Sequence, residues 1–186
     1  MYALDPATNR LVPAEGGPLD AMAALRWLQT ESGAPLRAPI GVIGPREDDT
    51  EREAAAEAVG RLLAEAGFTV LCGGRGGVMR AASKGAAEAG GLTIGLLPGD
   101  NAADANPYVA VPIASGIGEA RNAIIACAAA VLVVIGDSYG TLSEVALGLR
   151  FGKTVFGLCH PPQVEGVRAL PDVAALAPAL ARHLLG

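Results

Sequence analysis

Six short apolar runs, each closed by glycine or other turn residues and separated by stretches of helical length, constrain this chain more than any other feature. They are "IGVIG" from Ile40, "FTVLC" from Phe68, "LTIGLL" from Leu92, "YVAVPI" from Tyr108, "AVLVVIG" from Ala130 and "KTVFGLC" from Lys153. Runs of four to seven apolar residues without polar alternation read as strands buried on both faces. Between them the spacing predicts helices: from Thr50, with Glu53 completing a capping box, to about Ala66; from the glycine turn at 73–77 to about Ala89; over Ile117–Ala129; and over Gly140–Arg150. A last helix is expected over Val173–Leu185. Strands alternating with helices imply right-handed βαβ units. The predicted fold is α/β, three layers around a mainly parallel sheet of six or seven strands. Only three Phe, three Tyr and one Trp are present, so Val, Ile, Leu and Ala must build the core.

Residues 1–39 read differently. They hold five of the 13 prolines and one short helical pattern, Leu19 to Leu28, whose apolar side is Leu19, Met22, Leu25, Trp27 and Leu28. This is expected to be an extension packed on the main domain or a partner subunit, with residues 40–186 forming a single domain.

Open parallel sheets bind ligands beyond the carboxyl ends of their strands. Three turns stand there: "GPRED" after the first strand, "GGRGGVM" after the second and "GDSYGT" after the fifth. Each presents backbone N–H groups at a helix start, where the dipole favours an anion, and glycine lets a phosphate approach. The candidate ligand-binding residues are Gly44, Gly73, Gly74, Gly77, Met79, Asn122, Gly136, Asp137, Ser138, Tyr139, Gly140 and Thr141. Arg121 opens a helix that is otherwise almost wholly apolar, against the helix dipole. It either pairs with Glu119 or solvent, or faces an anionic ligand. Glu144 either caps its own helix, since Thr141 and Glu144 match a capping box, or faces the same ligand.

Other readings are excluded. From Gly74 the third glycine of a dinucleotide fingerprint falls at Met79, and a phosphate-loop motif ending in "GKT" at 152–154 lacks its first glycine at Leu147. No paired Cys/His metal spacing occurs, so neither metal nor resident cofactor is expected. Net charge is −5, which leaves no basic footprint for nucleic acid. No apolar stretch approaches membrane-spanning length and no leader opens the chain, so a cytoplasmic location is expected. The widely spaced Cys72, Cys127 and Cys159 suggest buried thiols in a reducing compartment.

"GGRGGVM", "EARN" and "GDSYGTLSE" together resemble the LOG (Lonely Guy) family and its SLOG-superfamily relatives, over roughly Ile40–Leu158. The resemblance implies a Rossmann-like fold and a homodimer paired through helices beside the site. Apolar residues over Ile124–Ala130 fit such pairing. Active members, often mislabelled lysine decarboxylases, are phosphoribohydrolases: they release the base of a purine or cytokinin ribonucleoside 5′-monophosphate, leaving ribose 5-phosphate. Their catalytic arginine and final motif glutamate correspond to Arg121 and Glu144, and their phosphate turn to Gly136, Gly140 and Thr141. Two residues depart from the pattern: Asp137 replaces a glycine and Ser143 a glutamate. The "GTLSE" version with "ARN" is similar to a sister branch containing molybdenum-cofactor carrier proteins, which bind a phosphate-bearing pterin without obvious catalysis. The function expected from this resemblance is hydrolysis of a ribonucleoside 5′-monophosphate by Arg121 and Glu144; the alternatives are a non-catalytic nucleotide- or cofactor-binding carrier or sensor, and a scaffold whose glycine turns hold no ligand.

Overall fold

The computed structural model describes the backbone of residues 2–5 and 10–13, and residues 20–186 in full. An antiparallel hairpin of β1 (Tyr2–Asp5) and β2 (Arg10–Pro13) is followed by α1 (Ala21–Thr30), which Asp20 caps by accepting from the Met22 amide. The expected start of this helix at Leu19 lies outside the described residues. Then come β3 (Ile40–Ile43), α2 (Thr50–Glu65), β4 (Val70–Cys72), α3 (Val78–Glu88), β5 (Thr93–Leu97) and β6 (Val111–Ala114). The chain continues through α4 (Arg121–Ala128), β7 (Val131–Ile135), α5 (Tyr139–Arg150), β8 (Thr154–Leu158), β9 (Val167–Ala169) and α6 (Leu176–Leu185).

All seven strands from β3 onward are parallel, in the order β6-β5-β4-β3-β7-β8-β9. The protein is therefore a three-layer, Rossmann-like α/β fold. At one margin Pro112 of β6 stands opposite Gly95; at the other, β9 has three residues. The strand β9 is additional to the six apolar runs. From β3 the chain winds outward through β4 to β6, and from β7 it winds the other way through β8 to β9. The neighbouring ends of β3 and β7 are thus the topological switch point, where open sheets leave a crevice.

The pleat sorts the core. Val131, Val133 and Ile135 of β7 face the layer of α1, α2, α3 and α6, while Leu132 and Val134 face α4 and α5. Ala24, Leu25 and Leu28 of α1 share the first of these cores with Leu176 and Leu180 of α6. At the crossing of α2 and α3, Gly60 and Gly85 let the backbones meet: an added Cβ would land on the carbonyl oxygen of Ala82 and of Glu57 respectively.

Three details differ from the sequence reading. Asp49, not Thr50, caps α2, its carboxylate accepting from the Arg52 amide at 2.9 Å, because Asp49 is the last extended residue. The helix expected from Ile117 begins as a 3-10 turn at Gly118–Ala120 and becomes α-helical at Arg121. Of the three cysteines, all free, Cys72 is buried but Cys127 is exposed.

Candidate functional site

The site grows out of three chain reversals at the switch point. Leaving β7, the chain turns at Gly136 in the left-handed region (φ +73°), which a side chain would strain, and runs extended to Ser138. Ser138 is the cap of α5: its hydroxyl accepts from the Thr141 amide at 3.2 Å and bonds the Thr141 hydroxyl at 2.8 Å. Of the two readings of Glu144, the capping box with Thr141 is therefore not formed, because the cap is Ser138, three residues before Thr141. Glu144 is left for other work.

That work is a buried ion pair. Arg121 Nη1 lies 3.2 Å from Glu144 Oε1, and the two side chains are only 6% and 8% exposed. Arg121 also reaches Glu119 at 3.5 Å and donates to Asn122 Oδ1. Asn122 Nδ2 donates to Ser143 Oγ at 2.8 Å, and that hydroxyl donates to the Gly140 carbonyl at 2.7 Å. A polar chain thus stitches α4 to the first turn of α5. The Nε of Arg121 is buried without a hydrogen-bond partner. Gly73, after β4, makes room for this guanidinium: a Cβ there would stand 2.8 Å from Arg121 Nη2 and 2.7 Å from Met79 Sδ.

Burial dominates the Glu144 carboxyl and raises it from 4.5 to about 7, against the lowering pull of Arg121; the Glu119 charge adds to the rise. The native state therefore holds this proton more tightly than the unfolded chain does. The associated stability is fully present below about pH 4.5 and is lost as pH rises through about 7.

Around the pair lies a cleft of about 350 Å³. Eight of the sequence candidates line it: Gly44, Met79, Arg121, Asn122, Ser138, Tyr139, Gly140 and Glu144. The other candidates, Gly73, Gly74, Gly77, Gly136, Asp137 and Thr141, do not line it. Gly74 anchors the turn after β4 by donating to Cys72 Sγ at 3.3 Å, and Gly77 lies against the Pro45 and Arg46 carbonyls. Gly136 abuts Arg52, Thr141 is buried beneath Ser138, and Asp137 is exposed. Four lining residues were not among the assigned candidates: Arg46, Glu47, Arg75 and Glu119. Arg46, Glu47 and Arg75 stand in the first two of the glycine turns, and Glu119 in the 3-10 turn that leads into α4.

Side chains cap α1, α2 and α5, and none caps α3, α4 or α6; the starts of α3 and α4 border this cleft, where the Val78 amide donates to the Pro45 carbonyl and the Arg121 amide to the Gly118 and Glu119 carbonyls. Uncapped helix starts, an unpartnered guanidinium nitrogen and close backbone approach together suit an anionic group. Among the described residues no cluster of His, Cys, Asp and Glu could hold a metal ion. No helix among them is long and apolar enough to cross a membrane.

The model of the SLOG cluster4 family matches residues 37–175. An uncharacterised protein of Archaeoglobus fulgidus is 43% identical over 129 residues, spanning 69% of this chain and 85% of that one. Among solved structures, the molybdenum cofactor binding protein of the phototrophic bacterium Rippkaea orientalis is 35% identical with a TM-score of 0.73, covering 78% of this chain and 96% of its own. The molybdenum cofactor carrier protein of Chlamydomonas reinhardtii is 39% identical with a TM-score of 0.72, covering 80% and 99%.

Proposed function

The chain belongs to the SLOG cluster4 family, and from that premise we propose that it carries a phosphate-bearing pterin or nucleotide in the cleft between β3 and β7 rather than hydrolysing it. The observation that carries this reading is the polar chain from Arg121 to Gly140. Where hydrolysing relatives have a second glutamate, the Ser143 hydroxyl here donates to a carbonyl and accepts from Asn122. It supplies no acid. The similarity to two molybdenum-cofactor proteins at 35% and 39% identity supports the same choice of cargo class.

Phosphate would sit on the uncapped starts of α3 and α4, with Arg121 supplying the balancing charge. Tyr139, 93% exposed on the rim of the cleft, offers a free aromatic face for a flat ring. Hydrolysis keeps one specific support: a carboxyl titrating near 7 is suited to general acid–base work at neutral pH. Incubating the protein with AMP and with a pterin monophosphate, while recording melting temperature and free adenine, separates the two. The carrier reading expects stabilisation of about 2.7 kcal/mol at a hundredfold excess over Kd, with no adenine released. Adenine release that disappears in both Arg121→Ala and Glu144→Gln would establish the hydrolase instead.

The same reading includes a homodimer. The outward sides of α4 and α5 expose Ile124 and Leu142, and Phe151 is exposed just past the end of α5; these are apolar groups that a second copy would cover. Light scattering at micromolar concentration is expected to give twice the 18.6 kDa chain mass; a particle of single-chain mass would refute the pairing.

A further inference from the structure

The cleft around Arg121 does not end at Arg46 and Arg75. Those two residues and Glu47 also line a second, open basin, of about 560 Å³, on the side of α3, bordered by Gly76, Arg80 and Asn106 among others. The two basins form one groove. Small-molecule sites span about 300–1,000 Å³, so the inner cleft alone stands near the lower bound and the groove as a whole near the upper.

The outer basin has its own chemistry. Its three arginines, Arg46, Arg75 and Arg80, face two acids, Glu47 and Asp104, so its formal charge is +1 in a chain of net −5. Arg46 and Arg75 are held loosely: each makes one ion pair, at 3.5 Å, with Glu47 and Glu119 respectively. Arg80 is braced from behind by Asp48 at 2.9 Å and Glu53 at 3.5 Å, neither of which lines the basin. The wall opposite is built rather than loose. Asn106 donates from its amide to the Arg75 carbonyl at 3.0 Å and from its backbone to the Gly74 carbonyl at 2.9 Å. This ties the loop after β5 to the glycine turn. Arginine is suited to such a place because its planar fork matches phosphate oxygens in pairs.

We infer that the ligand carries a second phosphoryl group, so that a diphosphate spans the groove with one phosphate beside Arg121 and the next among Arg46, Arg75 and Arg80. This rests on the phosphate-binding reading above and narrows its ligand to diphosphates, either terminal or bridging to a further group. A monophosphate would leave the outer arginines with only the carboxylate pairs they already make.

Calorimetry on the full chain tests this with inorganic phosphate and inorganic pyrophosphate as probes. Pyrophosphate is expected to bind about tenfold more tightly, the equivalent of about 1.4 kcal/mol. Arg80 touches only the outer basin, so Arg80→Ala is expected to remove that increment while leaving phosphate affinity unchanged, and Arg80→Lys to keep part of it. Equal affinity for the two anions, or an equal loss for both in Arg80→Ala, overturns the inference while leaving phosphate binding standing. Failure of either anion to bind overturns the reading on which it rests. Comparing ADP with ADP-ribose then assigns the source: tighter ADP means a terminal diphosphate, tighter ADP-ribose a bridging one.

Discussion

Replacing Arg121 by alanine is expected to cost about 3 kcal/mol of stability at pH 8, and clearly less at pH 5. Removing one partner of a buried pair leaves an uncompensated charge, and Glu144 is almost as enclosed as Arg121. At pH 8 the wild-type carboxyl is largely ionised, since it titrates at about 7, and the variant must force a proton onto it. At pH 5 that proton is already present, so only the arginine's packing and hydrogen bonds are lost. For a chain of this size each kcal/mol corresponds to roughly 2–4 °C in Tm, so the pH 8 loss is about 6–12 °C. Melting curves of wild type, Arg121→Ala and Glu144→Gln at both pH values check this. In Glu144→Gln the extra loss of stability above pH 7 should vanish. An Arg121→Ala penalty of the same size at both pH values would show that Glu144 does not titrate in this range.

The second large effect is expected far from any ligand. Gly85→Ala is predicted to destabilise by about 3 kcal/mol, the upper end of ordinary overpacking, even though alanine is the better helix former by about 1 kcal/mol. The new methyl would meet the Glu57 carbonyl oxygen of α2. Backbone cannot swing aside as a side chain can, so α2 and α3 must separate along the face they share. Gly60→Ala should behave alike, through the Ala82 carbonyl. Urea titration measures both. Wild-type stability in either variant would mean that the helices can slide without loss, and that the close crossing is not needed.

Neither glycine was legible as a contact in the sequence, because a lone glycine in an alanine-rich helix has no local signature. The strands were legible for the opposite reason. Val131–Ile135 is apolar on both faces because both faces are covered, and that is a local pattern. β9 escaped notice because "VRA" is short, partly exposed and set among turn residues. α5 starts within one residue of the expected Gly140, but its cap is Ser138 rather than Thr141: both carry a capping hydroxyl, and only the extended path out of Gly136 chooses between them. Arg121 and Glu144 could be named from their motifs. Arg46 and Arg75 could not be assigned with them, since their part depends on how far one turn stands from the next.

Pro112 has a consequence for how the protein behaves in crowded or concentrated solution. A sheet margin is a template on which another chain can add a strand, and from there a fibril can grow. Proline has no N–H to offer such an addition, and it stands in the middle of β6 at one margin. The other margin, β9, spans three residues, with Arg168 and Ala169 exposed. Val111 and Ile113, large apolar groups open to water on β6, therefore flank a backbone that makes a poor seed. In the seven-stranded sheet the two outermost strands thus offer little template for amyloid-like strand addition, by a means separate from mutual repulsion between chains of net charge −5.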